Sequence, residues 1–175
     1  MQIEHTYLYP APVDQTFAVI TDPALYEAVA VRSRSLEHTA HVTEVHKVHT
    51  ISLERKLPTD EVPSFAKAFV GDALLIRETT WWKNGAPDDG DAPGYHATFD
   101  VQIVGKPVVF QGTMRLLPEG EHTKQHIVGK VTASVPLFGS KIEQAVKEPI
   151  DHQVRAVAQM VTERLGGQWH DPEGH

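Results

Sequence analysis

A long amphipathic helix at the end of a strand-rich chain restricts the architectures open to this sequence. Apolar residues recur at Ile142, Val146, Ile150, Val154, Val157, Val161 and Leu165, with Ala145, Ala156 and Met160 beside them. The spacing makes one broad apolar stripe at helical period, while Glu143, Lys147, Asp151, Arg155 and Glu163 fall on other faces. Ser140-Lys141-Ile142-Glu143 reads as a capping box that opens the helix, and Gly166-Gly167 as its stop. Pro149 interrupts the stripe, removes the bond to the Ala145 carbonyl and predicts a bend. A stripe this wide has to be buried against a large apolar surface, and the strands before it are the candidate.

Those strands show period-two alternation. Tyr95, Ala97, Phe99, Val101 and Ile103 share one face, while His96, Thr98, Asp100 and Gln102 share the other. Val108 to Leu116 and Ile127 to Val135 repeat the pattern, which predicts an antiparallel sheet with one buried face. Earlier segments add strands over 3–8, two over 36–57 turning near Glu44, and one over 74–82. Short helices are predicted over 13–20, from an Asp22-Pro23 start, and over 59–70 with Val62, Phe65 and Phe69 on one face. The segment from Asn84 to Gly94, which contains Asp88-Asp89-Gly90-Asp91, reads as a solvated loop. No Glu occupies the twelfth position that a calcium loop needs.

Composition narrows the function classes. At 175 residues with 41% hydrophobic content, the chain suits one domain with a real core. A net charge of −7 with scattered lysines and arginines argues against a nucleic-acid partner. No apolar run approaches the roughly 20 residues that span a bilayer, so no integral membrane association is expected. The first residues lack signal-peptide character, and a cytoplasmic protein is the expectation. With no cysteine there is no disulfide, thiolate nucleophile or thiolate zinc site. Phosphate-loop, dinucleotide and nucleophile-elbow motifs are absent, and no cofactor is expected.

The order of strand, two helices, six strands with one inserted helix, then a long helix resembles the helix-grip superfamily of START and Bet v 1-like proteins. The stretches YPAPVDQTFAVITDPALYEA, LPTDEVPSFAKAFVG, GTMRLLPEG and VTASVPLFGSKIEQAV are similar to an uncharacterised bacterial branch of it. The resemblance covers residues 1–167 and implies an α+β fold. In it a curved antiparallel sheet of about seven strands grips the last helix as a single domain, and 168–175 form a polar flexible tail. It also implies a cavity for a small hydrophobic or amphipathic molecule, and brings no catalytic motif.

The inward positions Gly112, Gly129, Ala97 and Ala133 are small and predict space inside. Candidate lining residues are Phe65, Phe69, Trp82, Phe99, Phe110, Met114, Val131, Ile150, Val154 and Val157. His49, Arg55 and Glu78 are candidate polar residues at inward strand positions, where an Arg–Glu pair or a histidine could orient a ligand or exchange a proton. A cyclase or dehydratase of the same fold and a protein-interaction module are the alternatives. Of the eleven histidines, His38/His41 and His46/His49 are spaced by three on strands and split across faces. Only His41 and His46 could meet across a hairpin, so no metal site is expected.

Overall fold

The computed structural model describes residues 1–85 and 93–172, so the Asp88–Asp91 loop residues and His175 lie outside the described residues. The chain runs β1 (Gln2–Tyr9), α1 (Val13–Ile20), α2 (Pro23–Arg32), β2 (Glu37–Val45), β3 (Val48–Pro58) and α3 (Ser64–Val70). It continues through β4 (Ala73–Asn84), β5 (Tyr95–Ile103), β6 (Val108–Glu119), β7 (His122–Ala133) and α4 (Gly139–Arg164). The seven strands form one sheet in the order β1-β7-β6-β5-β4-β3-β2, with every neighbouring pair antiparallel. This is the helix-grip architecture. α4 lies over the inner face of the sheet against β1 and β7, with α1 and α2 beside it.

Local chemistry accounts for most boundaries. Asp22 caps α2 by accepting from the Ala24 amide at 2.9 Å, with Pro23 at the first helical position. The β2–β3 turn sits at His46-Lys47, two residues beyond the expected Glu44. Both carry positive φ, 50° and 63°, as a tight two-residue hairpin requires. Register then pairs His41 with Ser52, which places His46 in the turn and away from His41. α3 begins only after Pro63. Proline biases its preceding residue out of helical geometry, so 59–62 do not join the helix.

The ends of α4 divide the expectations. Its C-terminus closes as anticipated: the Gly167 amide donates to the Thr162 carbonyl and the Gly166 amide to Glu163, with Gly166 at φ 77°. The capping box does not form. α4 starts two residues early, with Phe138 and not Ser140 at the cap position and no side-chain cap bond. Glu143 turns to the sheet instead, where it accepts from the Ala133 amide at 3.0 Å and pairs with the Met1 amine at 3.2 Å. β1 register ends at Gln2–Lys130 and Met1 accepts from the Val131 amide, so Ala133 has no strand partner on the β1 side and the carboxylate supplies one.

The inward glycines serve a different purpose from the one expected. Gly112 and Gly129 face each other across β6 and β7. A Cβ on Gly112 would collide with the Val128 carbonyl oxygen and lie 2.6 Å from the Gly129 Cα, so the backbones approach too closely for any side chain. Rings of Phe99 and Phe110, 4.8 Å apart, fill the volume above them. The small residues therefore make room for two phenylalanines. They do not leave a void, because close-packed interiors fill such gaps with the nearest large side chain.

Two outcomes follow for stability. Gly112→Ala should cost at least about 3 kcal/mol in chemical denaturation, since backbone and not a movable side chain blocks the methyl group. His46→Asn/Lys47→Gly should stabilise by about 1 kcal/mol, because both native residues occupy left-handed backbone that Asn-Gly adopts at less cost.

Candidate functional site

The site lies between α4 and the inner face of the sheet, and α4 treats its two flanks differently. One flank is bound to β1 by charge. His5, buried on β1, meets the Asp151 Oδ1 at 2.9 Å through its Nε2, and Lys147 pairs with the other Asp151 oxygen. Arg155 pairs with Asp171 at 3.6 Å, and Glu143 holds Met1 and Ala133 on the same side. His5 alternates with Ile3, Tyr7 and Tyr9, so period two alone suffices to place it inward.

At about 100° per residue, Gln153 stands about 160° around α4 from Asp151 and so faces the other way, with Val146 and Val157. Its Nε2 is buried with no hydrogen-bond partner among the described residues. On the facing sheet, Arg55 of β3 is only 4% exposed among Ile51, Leu53 and their neighbours. Its Nη2 bonds to Glu78 Oε1 on the adjacent strand, while its Nε has no partner among the described residues. Glu78 stands diagonally from Arg55, since register pairs Arg55 with Ile76 and Leu53 with Glu78. Tyr26 of α2 completes the group. Its hydroxyl donates to the Ile20 carbonyl at 2.8 Å, and burial with the nearby Glu78 charge raises its pKa. The phenol stays neutral.

The candidate residues separate by position. Trp82 and Val131 are 1% and 0% exposed and leave a ligand no surface, while Phe99 and Phe110 form a buried floor over the glycines. Met114, Ile150, Val154 and Val157 pack on that floor and stay partly exposed. Phe65 and Phe69 of α3 belong to a smaller cluster with Val108, Ala133 and Ile142 at one end of the sheet. His49 is not with Arg55: six residues of β3 separate them by about 20 Å. It contacts the edge of Phe17 and lies 3.4 Å from Glu44. Gln153 and Tyr26 were not among the candidates. A polar residue on the apolar stripe was the signal for the first.

The other end of the interior is filled. Tyr9 donates to Gln125 at 2.5 Å, Thr16 and Thr123 bond to each other, and Phe17 stacks on Tyr95 with centroids 3.7 Å apart. Burial and the Asp14 hydrogen bond push Tyr95 up to about 12. Two recesses open elsewhere. One of about 380 Å³ separates β1 from the residues after α4, and one of about 260 Å³ lies on the outer face of β2–β4. The first exists because the segment expected as a tail folds back, setting Trp169 5.8 Å from Tyr7 and Asp171 against Arg155. Among the described residues no three His, Asp or Glu side chains gather as a metal site, and no helix is long and apolar enough to cross a membrane.

The comparisons agree with this geometry. Residues 4–165 match the model of the family described as "Protein of unknown function (DUF2505)", and the chain belongs to that family. A protein from Thermus thermophilus superposes with a TM-score of 0.60 at 14% identity, over 94% of this chain and 97% of that one. A START superfamily protein from Mycobacterium smegmatis gives 0.54 at 10% identity, over 94% and 97%. Norcoclaurine synthase from Thalictrum flavum gives 0.54 at 13% identity, over 94% and 86%. These likenesses establish a START-like fold. No match to a curated protein sequence was found.

Two measurements probe the polar contacts. Glu78→Leu should destabilise by about 3 kcal/mol because it leaves the buried Arg55 charge uncompensated, whereas Arg55→Met/Glu78→Leu should recover most of that loss in the same denaturation assay. The Ala133 amide, then the Met1 amine, hold Glu143 below its ordinary pKa. A carboxylate lowered on folding stabilises above its unfolded pKa and loses that contribution as pH falls through the folded value. The stability gap between the native chain and Glu143→Gln should therefore be full near neutral pH and close on acidification below about pH 4.5.

Proposed function

We propose that this DUF2505 protein binds a small amphipathic molecule between α4 and the β3–β5 part of the sheet. Its apolar body would lie along Ile150, Val154, Val157, Val101 and Met114, and its polar head would meet Arg55. The observation that carries this reading is the buried Arg55, whose Nε lacks a partner among the described residues. A buried guanidinium N–H without an acceptor is costly, and a ligand oxygen would remove that cost. Gln153 Nε2 is a second buried donor without a partner among the described residues, on the side of α4 away from Asp151. Both are donors, which selects a head with an acceptor: a carboxylate, carbonyl or hydroxyl oxygen.

Other features support the reading. Val101, Met114, Val146, Ile150, Val154 and Val157 all pack on the core yet stay partly exposed, as residues lining an incompletely filled interior do. Two anchored ends frame them, the α1 end packed by aromatic rings and the β1 flank held by ion pairs. α4 is thus fixed where it meets β1, and the proposed ligand would lie on its other side. The shared fold with a START superfamily protein and a plant synthase is consistent with a cavity here.

Native mass spectrometry of freshly purified protein, followed by solvent extraction, tests the proposal. A co-purifying amphipath, or saturable binding of palmitate with weaker binding of hexadecane, is the expected result. Val157→Trp and Met114→Trp should each weaken palmitate binding at least about tenfold with melting curves intact, since an indole there takes the ligand's volume. A clean apo mass together with no palmitate binding, or tryptophan variants that bind like the native chain, would overturn it.

A further inference from the structure

A second surface has no place in that interior. The β7–α4 connection carries Leu137, fully exposed, and Phe138, half exposed. Leu137 sits at φ 67°, a left-handed conformation that a leucine avoids, so the backbone turns in a disfavoured way and leaves this side chain in water. Surface leucines are common singly. A strained, fully exposed one followed directly by phenylalanine is not explained by packing.

Two lysines belong to the elements joined at this connection. Lys141 extends its ammonium over the Phe65 ring, 4.3 Å from the centroid, and Lys106 does the same over Phe69 at 5.1 Å. Both belong to the same end of the molecule. Phe138 caps the helix whose first turn carries Lys141, and the Ser134 amide donates to the Pro107 carbonyl, joining the Lys106 turn to the start of the connection. Glu143, the nearest acid on α4, is occupied by the Ala133 amide and Met1 amine. Asp60, Glu61 and Asp72 border α3 on its β3–β4 side, where the Thr59 hydroxyl bonds the Asp72 carbonyl.

We infer that the Leu137–Phe138 tip, with Lys106 and Lys141 around it, docks on the surface of an anionic lipid bilayer. The two apolar side chains enter the headgroup boundary, and the ammonium groups meet lipid phosphates and carboxylates. The chain's net charge of −7 does not oppose this at physiological ionic strength. Charges farther than about 8 Å are screened, so the lysines of the tip decide the local interaction. The proposal stands apart from the ligand-binding reading, since it rests on the outer surface alone.

Vesicle co-sedimentation tests it, with phosphatidylcholine vesicles compared against phosphatidylcholine mixed with phosphatidylserine. The native chain should sediment with the mixed vesicles, not with pure phosphatidylcholine, and should be released as salt rises. Leu137→Asp should weaken binding at least about tenfold, and Lys106→Glu/Lys141→Glu by a similar factor, from roughly fivefold per lost cation. Val45→Asp, an exposed apolar site on the β2–β3 hairpin at the opposite end of the sheet, should bind as the native chain does. Far-ultraviolet dichroism confirms that each variant is folded. Failure to sediment with mixed vesicles, equal binding to both compositions, or native-like binding by Leu137→Asp would each overturn the proposal. Self-association that Leu137→Asp abolishes, without vesicle binding, would assign the tip to a second copy of the chain and overturn it as well.

Discussion

The facing glycines of β6 and β7 govern how the remaining elements are arranged. At Gly112 and Gly129 two backbones come nearer than side chains permit, and the rings of Phe99 and Phe110 settle over them. Glycine at matched positions on neighbouring strands is how a twisted sheet acquires strong local bending. The bent sheet presents a concave face, and a concave face is what a single helix can occupy. The same two rings set how deep the interior is. They form its floor, and whatever remains open lies between them and α4.

α4 then divides that interior by its own asymmetry. The side bearing Glu143, Asp151 and Arg155 is tied to Met1, His5 and Asp171, all on or beside β1. The opposite side carries Gln153 with Val146 and Val157, and on the sheet Arg55 is buried in an ion pair with Glu78. An ion pair in such surroundings contributes little net stability, because desolvation offsets most of the attraction. Residues of similar size without charge would pack there at least as well. Arg55 nevertheless stays buried, with its Nε unpartnered among the described residues.

Much of this was legible in the chain. Alternation over 95–103, 108–116 and 127–135 assigned the inward faces that the structure has, and the stripe from Ile142 to Leu165 identified the gripped helix. Arg55 and Glu78 emerged from the same period-two count and are found paired. What was misread depended on contacts distant in sequence. Ser140 and Glu143 have the letters of a capping box, yet Glu143 had a better acceptor's role at an unpaired strand amide ten residues earlier. The glycines looked like empty volume because nothing local shows that Phe99 reaches over from the next strand. Trp169 and Asp171 read as polar tail because their partners, Tyr7 and Arg155, lie on elements that only folding brings near.

Periodicity and turn chemistry act between residues a few positions apart, so the bare chain already settles the elements, their order and which face of each is apolar. With the family resemblance, that was enough for the fold class and for placing Arg55 and Glu78 inward. Folding in three dimensions was needed to settle how α4 is seated and which inward residues are sealed in the floor. It was needed also to show that Leu137 and Phe138 project into water. These features depend on where strand ends meet and on how closely two backbones approach. Such distances are set by the closure of the whole sheet around its helix, and no local window of sequence contains them.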